Sequence, residues 1–157
     1  MNKLIYILII CMIGFTSCEV ETGGCTDYEA INYEKFADFD DGSCFYQSDV
    51  VFYLDLAGAL YFDAQNVNFL DIYIDGDYLG TLKANLGFIN MPDCFPIDPD
   101  AVHFTMEWED ASATSFIWTV RDEDGYKWYE GTEAIIPNDC TSIGLTWKKI
   151  KEYNNLQ

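Results

Sequence analysis

From about residue 50 onward, apolar and polar residues alternate with a period of two. Val50, Phe52, Leu54 and Leu56 fall on one face of a first run, and Leu70, Ile72 and Ile74 on one face of a second. Val102, Phe104, Met106 and Trp108 continue the pattern, followed by Phe116, Trp118 and Val120, and then by Ile143, Leu145 and Trp147. Successive side chains of a strand point to opposite faces, so each run predicts a half-buried strand. No stretch sustains a helical period. Asp75-Gly76 in IYIDGDYLGTL suits the positive φ angles of a type I′ hairpin turn, and RDEDGYKW reads as a longer acidic hairpin loop ending at Gly125. Pro92, Pro96 and Pro99 keep MPDCFPIDPD out of any central strand, which predicts a loop tied down by Cys94. The pattern predicts a mainly β chain with an antiparallel β-sandwich over residues 48–157.

Upstream the alternation is missing. Residues 24–44, GCTDYEAINYEKFADFDDGSC, hold acidic and aromatic residues between two cysteines and almost no aliphatic ones. Such a segment buries too little to offset the entropy of ordering its backbone, so a cross-link must do part of that work. Closing a loop of this length contributes about 3 kcal/mol on the chain-entropy model. Residues 18–47 are therefore expected to form a small, irregular, disulfide-closed acidic module.

The extreme N-terminus decides what a cysteine pair means. Lys3 is followed by an apolar run from Leu4 to Phe15, too short to span a bilayer and of the form of a secretion signal, placed at residues 1–17. Its end, Phe15-Thr16-Ser17-Cys18, resembles the bacterial lipobox, which implies that Cys18 becomes the lipid-bearing first residue of the mature protein. The membrane is then a partner through that anchor. Glu19 and Glu21 resemble the acidic export signals of Bacteroidetes surface lipoproteins, which implies an outer-membrane, lipid-anchored, surface-facing location.

Cys11 leaves with the signal and Cys18 takes the lipid. Cys25, Cys44, Cys94 and Cys140 remain, an even set in an oxidising compartment. Four cysteines permit three connectivities. Pairing Cys25 with Cys44 and Cys94 with Cys140 brackets two segments of distinct composition.

Charge narrows the function classes. The chain carries 27 acidic and 8 basic residues, one of the latter being Lys3. A surface so negative repels nucleic acid and anionic lipid, and favours cations, cationic partners or neutral ligands such as sugars. A 17% aromatic content and a 50% hydrophobic fraction set the chain apart from acidic disordered segments.

Two further resemblances rest on particular residues. Residues 24–46 resemble the GCTDP…DDGSC.Y module of secreted and surface proteins of Bacteroidetes through Gly24, Cys25, Thr26, Asp27, Ala30, Asn32, Tyr33, Ala37, Asp40, Asp41, Gly42, Ser43, Cys44 and Tyr46, with Tyr28 in place of the usual proline. The later part is similar to small Bacteroidetes lipoprotein domains, with a first hairpin like that of PEGA-type domains. Tyr73, Asp75, Gly76, Tyr78, Gly80, Thr81, Leu82, Cys94, Gly131, Cys140, Ile143 and Leu145 carry that likeness. It implies a PEGA-like or Ig-like β-sandwich and favours the Cys94–Cys140 pairing.

Candidate chemistry is sparse. Asp27, Asn32, Asp38, Asp40 and Asp41 offer the hard oxygen ligands that calcium takes, although the EF-hand spacing fails. The competing reading makes Asp40-Asp41-Gly42-Ser43 a turn held by Asx hydrogen bonds. His103 falls between apolar strand positions and is expected to face solvent, and no nucleophile elbow or phosphate loop occurs. Tyr53, Tyr73, Tyr78, Tyr126 and Tyr129 would form a recognition surface for sugar or protein if they faced outward together. Lys148, Lys149 and Lys151 read as a solvated basic tail. The expected function is a non-enzymatic binding or structural module of the outer envelope. The alternatives are a calcium-stabilised adhesion module and a carbohydrate-binding lipoprotein of a polysaccharide-uptake system.

Overall fold

A computed structural model describes residues 20–109 and 113–155, so the expected signal and Cys18 lie outside the described residues. Two minimal strands, β1 (Gly23–Gly24) and β2 (Phe39–Asp40), pair in parallel within the small module. The long strand β3 (Phe45–Leu54) follows directly, then helix α1 (Leu56–Ala64) and the hairpin β4 (Phe69–Ile74) and β5 (Asp77–Lys83). After a long loop come β6 (Val102–Glu109), β7 (Thr114–Asp122), β8 (Lys127–Ile135), β9 (Cys140–Leu145) and helix α2 (Trp147–Asn155).

The strands form two main sheets, one ordered β6-β3-β9 and the other β5-β4-β7-β8. Their apolar faces meet around Phe52, Leu54, Leu70, Ile72, Phe116, Val120 and Ile143, all essentially inaccessible. Phe52 meets Trp118 edge-on at 5.8 Å, and Phe104 meets Phe116 at 5.6 Å, so aromatic rings bridge the layers. The expected hairpin turn is present, with Asp75 at φ 49° and Gly76 at φ 96°.

The sandwich departs from the sequence expectation in three places. β9 runs parallel to β3, because the chain leaves the four-stranded sheet after β8 and enters the other sheet beside β3. Leu56 leaves the strand to begin α1 and is exposed, since Asp55 caps a helix there by accepting the Gly58 amide at 2.6 Å. Trp147 likewise begins α2 rather than ending a strand. The lysines of the expected tail sit on that helix, whose Ile150 is wholly buried. Lys149 lies over the Trp118 ring, Lys151 over the Trp147 ring, and Lys148 pairs with Glu152.

The expected boundary at residue 47 falls inside β3, so the small module and the sandwich share one strand. The Tyr46 hydroxyl donates to Asp27 at 2.7 Å, the Asn138 side chain donates to the Glu29 carbonyl at 2.8 Å, and Tyr46 stacks on Trp108. Both disulfides are formed, Cys25–Cys44 and Cys94–Cys140.

Candidate functional site

The outer face of the three-stranded sheet is not left to solvent. Residues 84–101 cross it as a loop, and beneath them Val51 is fully buried although it points away from the main core. The loop is fastened along its length. The Phe88 amide donates to the Leu54 carbonyl and the Phe88 carbonyl accepts from Leu56, Phe88 packs edge-on to Tyr53, and Ser142 Oγ donates to the Pro92 carbonyl. Cys94 is buried at its bond to Cys140, and the Asp98 amide donates to His103 Nε2 at 3.3 Å. His103 is thus half-covered by the loop and used as an acceptor, rather than facing solvent as expected.

The same loop carries large apolar side chains into water. Ile89 is 85% exposed, Met91 67%, Phe95 63% and Ile97 64%. Phe95 separates two hollows: one of about 320 Å³ reaches Ile97, His103, Thr105 and Asp49, and the other, about 330 Å³, reaches Asp49, Asn138 and Asp139. Asp49 is shared by both, where Thr105 Oγ1 donates to it at 2.7 Å.

The candidate calcium ligands are engaged in holding the small module. Asp27 accepts the Glu29 amide and the Tyr46 hydroxyl, which together hold its carboxyl below the usual carboxylate range. Asn32 accepts the Phe45 amide and donates to the Ser43 carbonyl, pinning one end of the loop to the other. Asp38 accepts the Thr22 amide and hydroxyl. Asp40 and Asp41 accept the amides of Gly42 and Ser43, the Asx turn foreseen as the competing reading. Among the described residues, no three of these carboxylates converge within 4.8 Å of one another. The group that does converge is Asp93, Cys94 and Cys140, whose sulfurs are bonded to each other.

The candidate tyrosines do not share a surface. Tyr129 is buried between Trp118 and Tyr153, and burial, aided by the Asp55 charge, pushes its hydroxyl well above the usual phenol range. Tyr53 lies under the loop and is raised for the same two reasons. Tyr73 and Tyr78 meet edge-on, with Arg121 over Tyr73, on the outer side of the four-stranded sheet. Tyr126 stands alone of the five at the β7–β8 turn, where with Tyr61, Trp128 and Asp122 it lines a hollow of about 490 Å³.

That hollow was only partly legible. Tyr61 and Trp128 reach it because α1 lies across the end of β8, with Phe62 edge-on to Trp128 at 4.9 Å. Asp122 Oδ1 accepts the amides of Asp124 and Tyr126, and Oδ2 accepts the Trp128 indole N–H at 3.0 Å. The RDEDGYKW loop marked the acid and Tyr126, but no pattern in the chain announced the helix that completes the walls.

The chain matches no protein-family model, no curated protein and no solved structure.

Proposed function

We propose that this protein is a non-enzymatic binding module of the outer envelope, carried on the membrane by a lipid on Cys18, with the loop at residues 89–97 as its recognition face for a protein partner. The observation that supports this reading is the exposure of Ile89, Met91, Phe95 and Ile97 on a loop held rigid at Cys94. Single exposed apolar residues are ordinary, but four large ones on one short, anchored segment concentrate apolar surface of the kind used for contact. Rigidity lowers the entropy lost on docking, and acidic neighbours such as Asp93 and Asp98 would keep so apolar a segment soluble. Two structural disulfides accord with an oxidising, exported setting.

Two measurements test the parts separately. Mass spectrometry of the native product should find the N-terminus at Cys18 with acyl chains attached; an unmodified N-terminus refutes the anchor. A photocrosslinker in place of Met91 should trap one discrete partner in intact cells, and Ile97→Asp should abolish that product. A crosslinker at exposed Thr132 should trap nothing. Equal products from both positions would refute the recognition face.

A further inference from the structure

The hollow beside the β7–β8 turn is built from residues the loop does not use, and its chemistry goes beyond the function proposed above. Tyr61 and Trp128 stand perpendicular, with an interplanar angle of 90° and centroids 6.0 Å apart. Tyr126 meets Trp128 at 73° and 5.1 Å. Rings set so steeply to one another form the sides of a shallow, open hollow rather than one flat stacking platform. Asp122 completes the lining, and its three N–H donors fix both oxygens in place.

We propose that this hollow binds a trimethylammonium group. Several aromatic walls and a fixed carboxylate attract a bulky, weakly hydrated cation through ring quadrupoles and charge together. Tyr126, 51% exposed, and half-buried Tyr61 are the rings open to a ligand, while Trp128, 9% exposed, closes the hollow behind them. The two cations that flank the turn, Arg121 and Lys127, are engaged with other groups, and among the described residues none pairs with Asp122. Arg121 donates to the Gly125 carbonyl and lies over Tyr73, while Lys127 pairs with Glu130 at 2.8 Å. The same aromatic cluster already draws one cation, since Lys151 lies 5.2 Å over Trp147, whose ring is 4.4 Å from Tyr61. An overall charge of −19 adds a long-range preference for a positive ligand over a neutral one.

The test is a titration of the soluble protein with choline chloride at constant ionic strength, followed through the Trp128 indole N–H resonance and by calorimetry. The neutral isostere 3,3-dimethyl-1-butanol serves as the control. Saturable shifts with choline and tetramethylammonium are expected, with the isostere at least about tenfold weaker. Tyr126→Leu, which keeps apolar bulk but removes the ring, should weaken choline about tenfold, and Tyr126→Phe should stay within about twofold. Displacement of choline by phosphatidylcholine vesicles would make a lipid headgroup the source of the group. Failure of vesicles to displace it would make a free soluble amine the source, and either result upholds the site. Equal binding of the isostere, binding of sugars in place of choline, an unaltered affinity in Tyr126→Leu, or no saturation at all would overturn it. None of these outcomes touches the loop at residues 89–97, so the two readings fail separately.

Discussion

The Asp55 carboxylate accepts the backbone N–H of Trp147 at 3.1 Å through Oδ1 and 3.3 Å through Oδ2, across 92 residues of chain. The same side chain caps α1 through the Gly58 amide. One carboxylate therefore starts both helices and fastens the second to the first. Asp55→Ala is expected to lower stability by about 2–4 kcal/mol, the sum of a lost cap and lost charge-assisted bonds. Asp55→Asn, which keeps one acceptor oxygen, should fall between the two. Chemical denaturation midpoints check both variants.

The Tyr46–Asp27 hydrogen bond predicts a pH window for the small module. The bond itself, then burial and the charges of Asp27, Asp40 and Glu29, push the Tyr46 phenol up to about 12. A raised folded value means that its contribution is complete below the ordinary phenol range near 10 and is lost as pH rises through about 12. Asp27 is shifted the other way, by the Glu29 amide first and Tyr46 second, so its contribution is present above 3.8 and fades as pH falls below it. Absorbance titration at about 295 nm should show a late-ionising phase to which Tyr129 and Tyr53 also contribute, and Asp27→Asn should shrink it by about one tyrosine. A late phase unchanged in Asp27→Asn would contradict the contact.

Replacing Cys94 and Cys140 together by serine should cost about 4 kcal/mol, because the bond closes a separation of 46 residues in the denatured chain. The native effect should be local, since the loop also holds through Phe88 and Ser142. Amide exchange should quicken around Val51 and the loop before the four-stranded sheet responds.

Gly131 faces Trp118 across the β7–β8 pair, and a Cβ there would lie 2.5 Å from the indole Cζ2. Trp118 is buried between Phe52 and Tyr129 and has little room to move away. Gly131→Ala should therefore destabilise by about 1–3 kcal/mol and alter the near-ultraviolet dichroism of the indole.

Millimolar calcium is expected to leave the melting temperature unchanged, because Asp27, Asp38, Asp40 and Asp41 are engaged in turns and tethers rather than gathered around a common point. A clear rise in melting temperature, or heat on titration, would show that these oxygens can be recruited.

Strand positions were legible because burial on one face writes an alternation into the chain: β4, β6 and β7 follow Leu70–Ile74, Val102–Trp108 and Phe116–Val120 closely. The helices were not. LAGALYFDA is apolar nearly throughout and continues the hydrophobicity of β3, so its start is marked by Asp55 alone. WKKIKEYNN carries a helical spacing in Trp147, Ile150 and Tyr153, but its lysines resemble a tail until the aromatic faces beneath them are known. The tyrosines were misgrouped for a similar reason. Alternation assigns a residue to a face, whereas the loop at residues 84–101 and the two helices decide which faces are covered. Val51 is the clearest case, buried on the side that alternation alone would give to water.

Because β3 is the interior strand of its sheet and leaves the small module at Cys44, tension applied at the N-terminal end has a defined route. It passes through the Cys25–Cys44 bond, bypassing the residues between, and enters β3 along the strand axis. The ladders to β6 and β9 are then loaded in shear, many bonds at once, instead of being peeled apart one by one. A pull on that end therefore meets the bonds of both ladders together.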